Sequence, residues 1–555
     1  MGKAAVIVIV TVAAIAVVVA AILLFVYAEK KLRQRLAAQF GTPPTPPDEK
    51  EVVSGFWDTR KIHKQSAEYS IDDITWTDLD MDRVYAKINA CHTSVGAEYL
   101  YAMLHEPSFD SSVLEARESL MALLESAPEK RLDLQVVLAK MGKMPGNGLS
   151  AFCYEISNKK AKRPWLYNGL AILPFLCTGL MFISPSAGGI LLFISFVVNM
   201  AVHLLAKKRL RGEMLSIRYF GALLWAAQKI CKTRILDEHP IGRDIRKNFD
   251  AFKQLGGKLS GMLRERISDM DAIIEYIRII FLSDVRAYNR IISVVEKHQS
   301  ELLRLFESVG TLDALISVLS YRKTLKYFCR PEFTGHSYIE TENICHPLLS
   351  EPVPNTVSLR GSALVSGSNA SGKSTFIKAV AINGIFAQTI HTCTASSFKA
   401  RPALVMTSMA VRDDITAGES YFITEIKSLK RIITTIPRVF CACYIDEILK
   451  GTNTIERIAA SAAVLGYLKS LDCICVVATH DIELTRMLAG YDNYHFGERI
   501  TESGVEFDYI IKLGPSKTKN AIKLLEHMEF DKGIIKNAQE LVAAFEESGV
   551  WSAVQ

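Results

Sequence analysis

The chain has 555 residues, 49% of them hydrophobic, with a formal net charge of +6 and eleven cysteines. That length exceeds what one core supports and calls for two or three domains. Cysteines odd in number and scattered exclude a secreted disulfide scaffold and point to a reducing compartment. The basic residues cluster beside apolar runs, which indicates membrane topology before it indicates nucleic acid.

Ala4 to Ala28 is unbroken apolar sequence, roughly 37 Å long as a helix, enough to cross a bilayer with some tilt. Lys30, Lys31, Arg33 and Arg35 follow it and only Lys3 precedes it. Residues 1–29 are therefore predicted as a transmembrane anchor with its N-terminus outside. Residues 30–70 read as a cytoplasmic linker, in which Thr42 to Pro47 is a stiff polyproline spacer. Over residues 71–163, apolar positions recur every three or four residues, as in the first part of a helical core.

Residues 164–206 form an apolar hairpin, Trp165 to Ile183 and Ile190 to Leu205. The predicted turn spans Ser184, Pro185, Ser186 and the Gly188-Gly189 pair. Lys159, Lys160, Lys162 and Arg163 precede the hairpin, and Lys207, Lys208, Arg209 and Arg211 follow it. Both flanks are then cytoplasmic, in agreement with the first span. The expectation is a multi-pass protein of the cell membrane; a soluble helical hairpin is the competing reading, since the second arm is short. Residues 207–330 are helical again, and Leu259 to Phe306 is long, amphipathic and free of proline, as lever helices are.

Near Arg330 the pattern changes. Over residues 331–545 short apolar runs bounded by glycine alternate with helices, the mark of a parallel sheet with crossovers. The predicted fold class is an α/β P-loop NTPase domain plus an all-α lever and core domain, with three transmembrane helices.

The chemistry concentrates in that last region. Ala363 to Ser366 reads as a buried strand running into Gly367, Ser368, Asn369, Ala370, Ser371, Gly372, Lys373, Ser374 and Thr375, with a helix after it. This is a complete P-loop in its strand-loop-helix setting. Its amides and helix N-terminus suit phosphate oxygens, Lys373 the β- and γ-phosphates of ATP, and the Ser374 hydroxyl a Mg²⁺ ion. A second strand, Val439 to Ile445, ends in Asp446 and Glu447. The first acid suits the Mg²⁺ shell and the second suits activation of the attacking water. A third strand, Cys473 to Ala478, ends in Thr479 and His480, whose imidazole can reach a γ-phosphate. Cys441 with Cys443, and Cys473 with Cys475, alternate so that each pair shares a face; they read as small core residues rather than a metal site.

These motifs together resemble the MutS family. Asp414-Ile415-Thr416-Ala417-Gly418-Glu419-Ser420-Tyr421-Phe422 is similar to that family's D-L-x-x-G-x-S-T-F block, and Asp446 to Thr454 to its D-E-I-G-R-G-T-S-T. Asn369 and Gln388 match the asparagine of its P-loop and the glutamine after the next helix, and the resemblance implies that both belong to the nucleotide-binding set. Thr311 to Leu315, Arg330 to Phe333, His346-Pro347, Asp80 to Pro107, Leu513 to Ile522 and Ile534 to Ala538 resemble further blocks. The likeness covers most of Ile71 to Leu541, interrupted at the hairpin.

The resemblance implies a MutS/ABC-like ATPase whose domains pair head to tail into a homodimer, with Ser420 of one subunit reaching the nucleotide of the other. It implies that His495, in Asn493-Tyr494-His495, lies against the adenine; the family's aromatic partner is Val353 here. The family's mismatch-reading Phe-x-Glu wedge has no counterpart in Met1 to Ile71. Two activities are compatible with this pattern: an ATP-dependent dimeric clamp or switch on duplex or branched DNA, or a membrane mechanochemical ATPase that moves a membrane or protein partner without DNA. A scaffold using ATP only to hold a dimer fits less well, because Lys373, Asp446, Glu447 and His480 are all present.

Overall fold

The computed structural model describes residues 3–44, 53–63, 66–144, 148–156, 164–255, 279–368, 371–409, 421–501, 504–516, 522, 525–526, 528–549 and 551. Its helices are α1 (Lys3–Gln39), α2 (Gly55–Ile62), α3 (Asp73–Asp78), α4 (Met81–Ile88), α5 (Ser94–His105), α6 (Ser111–Ser126), α7 (Pro128–Met141), α8 (Gly148–Tyr154), α9 (Pro164–Met181), α10 (Pro185–Thr233), α11 (Pro240–Asp250), α12 (Ser283–Lys297) and α13 (Gln299–Thr324). The strands β1 (Glu332–Phe333), β2 (Ile339–Ile344), β3 (Asn355–Leu359) and β4 (Ala363–Ser366) follow, then helix α14 (Lys373–Thr389). After it come β5 (Ser397–Ala400), β6 (Leu404–Ser408), α15 (Tyr421–Thr435), β7 (Cys441–Asp446), α16 (Thr454–Lys469) and β8 (Cys473–Thr479). The chain closes with α17 (Ile482–Met487), β9 (Asp492–Thr501), β10 (Gly504–Leu513) and α18 (Lys532–Ser548). The change from helix to alternating strand and helix thus falls just after Thr324, near the predicted point.

The chain divides into two units. The first comprises Met1–Ala67, Ala86–Met103 and Glu115–Thr324 and is helical. On α13, Leu302, Leu305, Phe306, Val309 and Leu312 are wholly buried, the three- and four-residue spacing of a core-facing stripe. Phe306 stacks on Phe56 of α2 with ring centroids 4.6 Å apart. The same helix carries a buried acid, Asp313. It accepts hydrogen bonds from the Thr93 backbone N–H at 2.9 Å, the Thr93 hydroxyl at 2.7 Å and the His92 backbone N–H at 3.1 Å. The carboxylate therefore caps α5 from a distant part of the chain, where orphan N–H groups and the helix dipole favour negative charge. Gly96 leaves the room it needs: a Cβ there would overlap the Asp313 carboxylate.

The apolar hairpin is α9 and the first part of α10. Its turn is not at the glycine pair. Pro185 starts α10 at a position where a missing N–H goes unnoticed, and Gly188 is already helical. Gly188 serves packing instead, since a Cβ would lie 2.5 Å from the Met181 backbone N. Pro185–Ala206 is, among the described residues, the one helical stretch long and apolar enough to cross a membrane by length and composition; Trp165–Met181 is shorter. Phe182, Ile183, Ile190, Phe193 and Leu205 are exposed on the hairpin, as are Ile22 to Tyr27 on α1. Helix α10 does not stop at residue 206 but runs on to Thr233, 49 residues in one piece. Of the predicted lever region, 256–278 lies outside the described residues, and the remainder forms α12 and α13.

The second unit comprises Glu68–Tyr85, Leu104–Leu114 and Leu325–Gln555. Its six-stranded sheet has the order β10-β9-β4-β8-β7-β6, all neighbours parallel except β9 with β10; a second sheet has the order β1-β5-β2-β3. Every residue of β4 and β6 is buried, as expected of parallel strands covered on both faces. Cys441 pairs with Cys473 and Cys443 with Cys475 in this sheet, and among the described residues no cluster of metal-ligating side chains occurs. Residues 68–85, which the helical pattern groups with the core, join the sheet unit for a polar reason. Asp78 accepts from the Thr407 hydroxyl at 2.6 Å and the Met409 N–H at 3.1 Å, and Arg431 hydrogen bonds both Asp72 and the Thr407 carbonyl.

Candidate functional site

Parallel pairing brings three strand ends to one edge. Ser366 of β4 pairs with Thr479 of β8, and Asp446 of β7 pairs with Ala478, so the residues after each strand emerge side by side. Gly367, Glu447 and His480 are those residues. Loops at the carboxyl edge of a parallel sheet are where such folds place their ligands.

The loop after β4 curls as its glycines allow. Gly367 and Gly372 have φ of 145° and 104°, conformations closed to most side chains. Gly372 also leaves space for the Tyr509 ring, which a Cβ would approach to 3.2 Å. The chain then enters α14 with Lys373, a nearly fully buried lysine whose Nζ donates to the Gly367 carbonyl at 2.8 Å and the Ser368 carbonyl at 2.7 Å. Burial lowers its pKa, while the carboxylates of Asp446 and Glu447 act in the opposite sense. A lysine folded back onto carbonyls at a helix N-terminus is a cation held where a polyphosphate can displace those weak acceptors. Ser368 hydrogen bonds Glu498 of β9. Asn369 and Ala370 lie outside the described residues.

The acids after β7 behave differently from each other. Asp446 is mostly buried, and burial raises its carboxyl above the usual range, against a hydrogen bond from Ser374. Its Oδ1 has no hydrogen-bond partner. A buried carboxylate oxygen left over beside a serine hydroxyl fits a small hard cation. With no larger donor cluster among the described residues, such an ion would complete its shell with phosphate oxygens and water. Ser374 and Asp446 are the residues that would hold Mg²⁺. Glu447 instead sits in ion pairs, with Lys450 and with His480 Nδ1 at 3.5 Å. The His480 hydrogen bond, helped by Lys450, holds its carboxyl down at about 2, and the same pairing raises His480. Glu447 and Leu449 both have positive φ (55° and 56°), strain that the buried Glu425 stabilises by accepting the Leu449 N–H. Beyond His480, Asp481 is clamped by Arg457 through two hydrogen bonds, of 2.7 and 3.1 Å.

A cavity of about 490 Å³ opens over this edge. Its lining includes Ser371, Gly372, Lys373, Ser374, Thr375, Glu447, His346, Val353, Phe496 and Tyr509. The volume suits a nucleotide-sized ligand.

Two expected ligand residues are elsewhere. Gln388 stands at the far end of α14, fifteen residues from Lys373 and so roughly 22 Å along the axis. Its amide is consumed there: Oε1 accepts the Ala403 N–H at 2.9 Å and Nε2 donates to the Ser108 carbonyl at 3.2 Å. His495 does not line the cavity. Strand side chains alternate, and Phe496 takes the cavity face while His495 Nδ1 meets the Gly514 carbonyl at 2.8 Å on the other. The aromatic surface beside the P-loop is therefore Phe496 and Tyr509. Alternation along β9 could have found the first; the second depends on the register of β10. Ser420 and the rest of 410–420 lie outside the described residues.

Strand order, P-loop and strand-end acids define a P-loop nucleotide-binding fold of the kind with an added antiparallel edge. The family model for MutS domain V matches residues 363–546, which span that sheet from β4 to α18. The chain is 30% identical over 276 residues to the DNA mismatch repair protein MutS of Leptospira interrogans, covering 47% of this chain and 32% of that protein. It is 31% identical over 272 residues to human MutS protein homolog 4, covering 45% and 28%. Residues 363–546 thus match MutS domain V, and the chain is similar to MutS proteins over about half its length. The matched segments span about a third of the length of these relatives or less.

Proposed function

We propose that the chain is a membrane-anchored, MutS-like ATPase that hydrolyses Mg²⁺-bound ATP and works as a homodimer, paired through its ATPase domains. In this reading α1, α9 and the first part of α10 are three membrane spans, the N-terminus is outside and the ATPase domain is cytoplasmic. The paired heads form an ATP-dependent clamp or switch on duplex or branched DNA. The observation that carries the ATPase reading is the convergence of Lys373, Ser374, Asp446, Glu447 and His480 at one sheet edge beside the cavity. Bound Mg²⁺ would supply charge neutralisation for the phosphates. Lys373 would leave the loop carbonyls for phosphate oxygens, Ser374 and Asp446 would hold the cation, and Glu447, once released from His480, would accept a proton from water.

DNA as the target is supported by the relative that is named a DNA mismatch repair protein. Filter binding of the purified chain to duplex and branched DNA at low and moderate salt tests it; no salt-sensitive binding in either nucleotide state would remove DNA. A second reading has its own observation: α10 is continuous from the apolar stretch into the helical unit, so a push on its polar part reaches the hairpin. On that reading ATP drives the hairpin against a membrane or protein partner, and nucleotide alters hairpin crosslinking with no DNA present. Glu447→Gln separates turnover from binding: it is expected to retain ATP and lose hydrolysis. Undiminished hydrolysis would remove Glu447 as the base.

A further inference from the structure

Two cysteines outside the nucleotide site face each other across a single antiparallel bridge. Cys329 lies five residues beyond the end of α13, and Cys393 lies four beyond the end of α14. The Cys329 N–H donates to the Cys393 carbonyl at 3.0 Å and the Cys393 N–H to the Cys329 carbonyl at 2.9 Å. Residues that exchange both bonds stand about 5.5 Å apart at Cα, inside the range a disulfide spans. The Cys393 thiol itself donates to the Asn383 carbonyl at 3.6 Å. The Cys393 side of the bridge is held by a buried amide. The buried Asn383 side chain accepts the Thr394 N–H at 2.6 Å and donates to the Thr394 hydroxyl at 3.0 Å, pinning the residue next to Cys393.

The pair is also asymmetric. Cys329 is partly exposed and Cys393 is buried. The neighbouring Cys393 side chain lowers the Cys329 thiol, against the effect of burial. An accessible thiol with raised thiolate content beside a sheltered second thiol is the arrangement peroxide-sensing pairs need. Cys345, partly exposed, lies nearby in chain pairing, since its N–H donates to the Thr394 carbonyl at 2.9 Å; its own thiol faces the Tyr327 hydroxyl at 3.1 Å.

We propose that Cys329 and Cys393 form a reversible redox pair, closed to a disulfide by hydrogen peroxide. The Cys329 thiolate attacks one peroxide oxygen, the O–O bond breaks, and hydroxide leaves to take up the proton Cys329 released. The Cys393 sulfur then attacks Cys329 Sγ of the sulfenic acid. The S–S bond forms, the S–O bond breaks, and the departing hydroxide takes the Cys393 proton. Two thiols lose two electrons and one peroxide becomes two waters. The ring so closed contains β4, the whole P-loop and α14. Oxidation would thus tie the segment after the long helix α13 to the far end of the P-loop helix. The proposal is independent of what the nucleotide site does.

The test uses the full chain in detergent, treated with hydrogen peroxide, quenched by alkylation and digested. The expected result is one peptide pair joined through Cys329 and Cys393, restored to two alkylated peptides by dithiothreitol, with Cys329 losing label about tenfold faster than the buried cysteines. Cys345→Ser is expected to leave the link intact, and Cys329→Ser to abolish it while Cys393 keeps its thiol. A Cys329 that ends as a sulfinic acid without a partner, or that links to Cys345 instead, would overturn the pairing. So would the same link forming as fast in the urea-unfolded chain, because proximity in the fold would then contribute nothing.

Discussion

The two units of this protein hold their buried charges in opposite ways. In the helical unit both oxygens of Asp313 are engaged by the protein: three donors from His92 and Thr93 surround it. In the sheet unit Asp446 keeps an oxygen without a partner, Lys373 rests on two carbonyls, and Glu447 bends its backbone to reach a histidine. A satisfied buried acid stabilises a fold, whereas a half-satisfied one holds unfilled bonding capacity that a ligand can use. The difference separates structural charge from functional charge without reference to any motif.

Substitutions sharpen that contrast, because each should affect one property and spare the other. Lys373→Ala is expected to lower ATP turnover by about 10²–10³-fold, the usual scale for removing one preorganised donor at a transferring group. Its melting temperature should stay level or rise, since a buried ammonium is removed from carbonyls that are poor compensation for water. Calorimetry beside a phosphate-release assay reads both, and a large loss of stability would place Lys373 with the structural charges. Asp313→Ala should do the reverse. It orphans two backbone N–H groups and a hydroxyl in the interior, a loss of about 3 kcal/mol. Chemical denaturation should show a lower midpoint, while the nucleotide affinity of the folded fraction is unchanged.

The Glu447–His480 pair gives a pH signature. His480 is raised, so its contribution is full below the ordinary 6.5 and fades as pH rises through its folded value. Glu447 is depressed to about 2, so its contribution is full above the ordinary 4.5 and fades as pH falls toward 2. Between those limits the pair is closed and Glu447 is engaged. Turnover should therefore climb, by about tenfold, as pH passes upward through the His480 value and releases Glu447 Oε1, while Oε2 stays with Lys450. His480→Asn should flatten that limb of the kcat profile. A limb that persists in the variant would assign it to another group.

The P-loop and both strand-end motifs were legible because each is contiguous: a strand, its loop and the next helix carry the geometry within a dozen residues. Gln388 misled because residues close in sequence pattern are separated by the length of α14, and a helix converts residue number directly into distance. His495 misled for a related reason, since one step along a strand exchanges cavity for opposite face, and Phe496 was the neighbour on the useful side. Tyr509 and Asp313 were out of reach of local reasoning. The first depends on the pairing of β9 with β10, and the second meets Thr93 from 220 residues away. The hairpin was legible in its apolar lengths but not in its turn, because proline and glycine both break patterns and only the three-dimensional packing tells that Pro185 begins a helix while Gly188 admits Met181.

The smallest effect concerns the hairpin, where the contrast between filled and unfilled polar groups meets an apolar setting. Pro174 lies inside α9 and has no N–H to give the carbonyl four residues earlier, that of Leu170. Asn199 of α10 supplies the missing donor: Nδ2 reaches the Leu170 carbonyl at 3.1 Å and the Ile280 carbonyl at 2.7 Å. One amide thus repairs a helix break and joins both arms to the segment before α12. Asn199→Leu leaves both carbonyls without that donor, and in an apolar surround such a bond contributes about 0.6–1.7 kcal/mol. The expected outcome is a lower melting temperature in detergent, a shift of a few degrees. Pro174→Ala should relieve part of it in the double variant, because the backbone N–H restored by that substitution can serve the Leu170 carbonyl from within the helix. If the double variant is no more stable than Asn199→Leu alone, the amide's partner that matters is Ile280, and the hairpin is held from outside rather than mended from within.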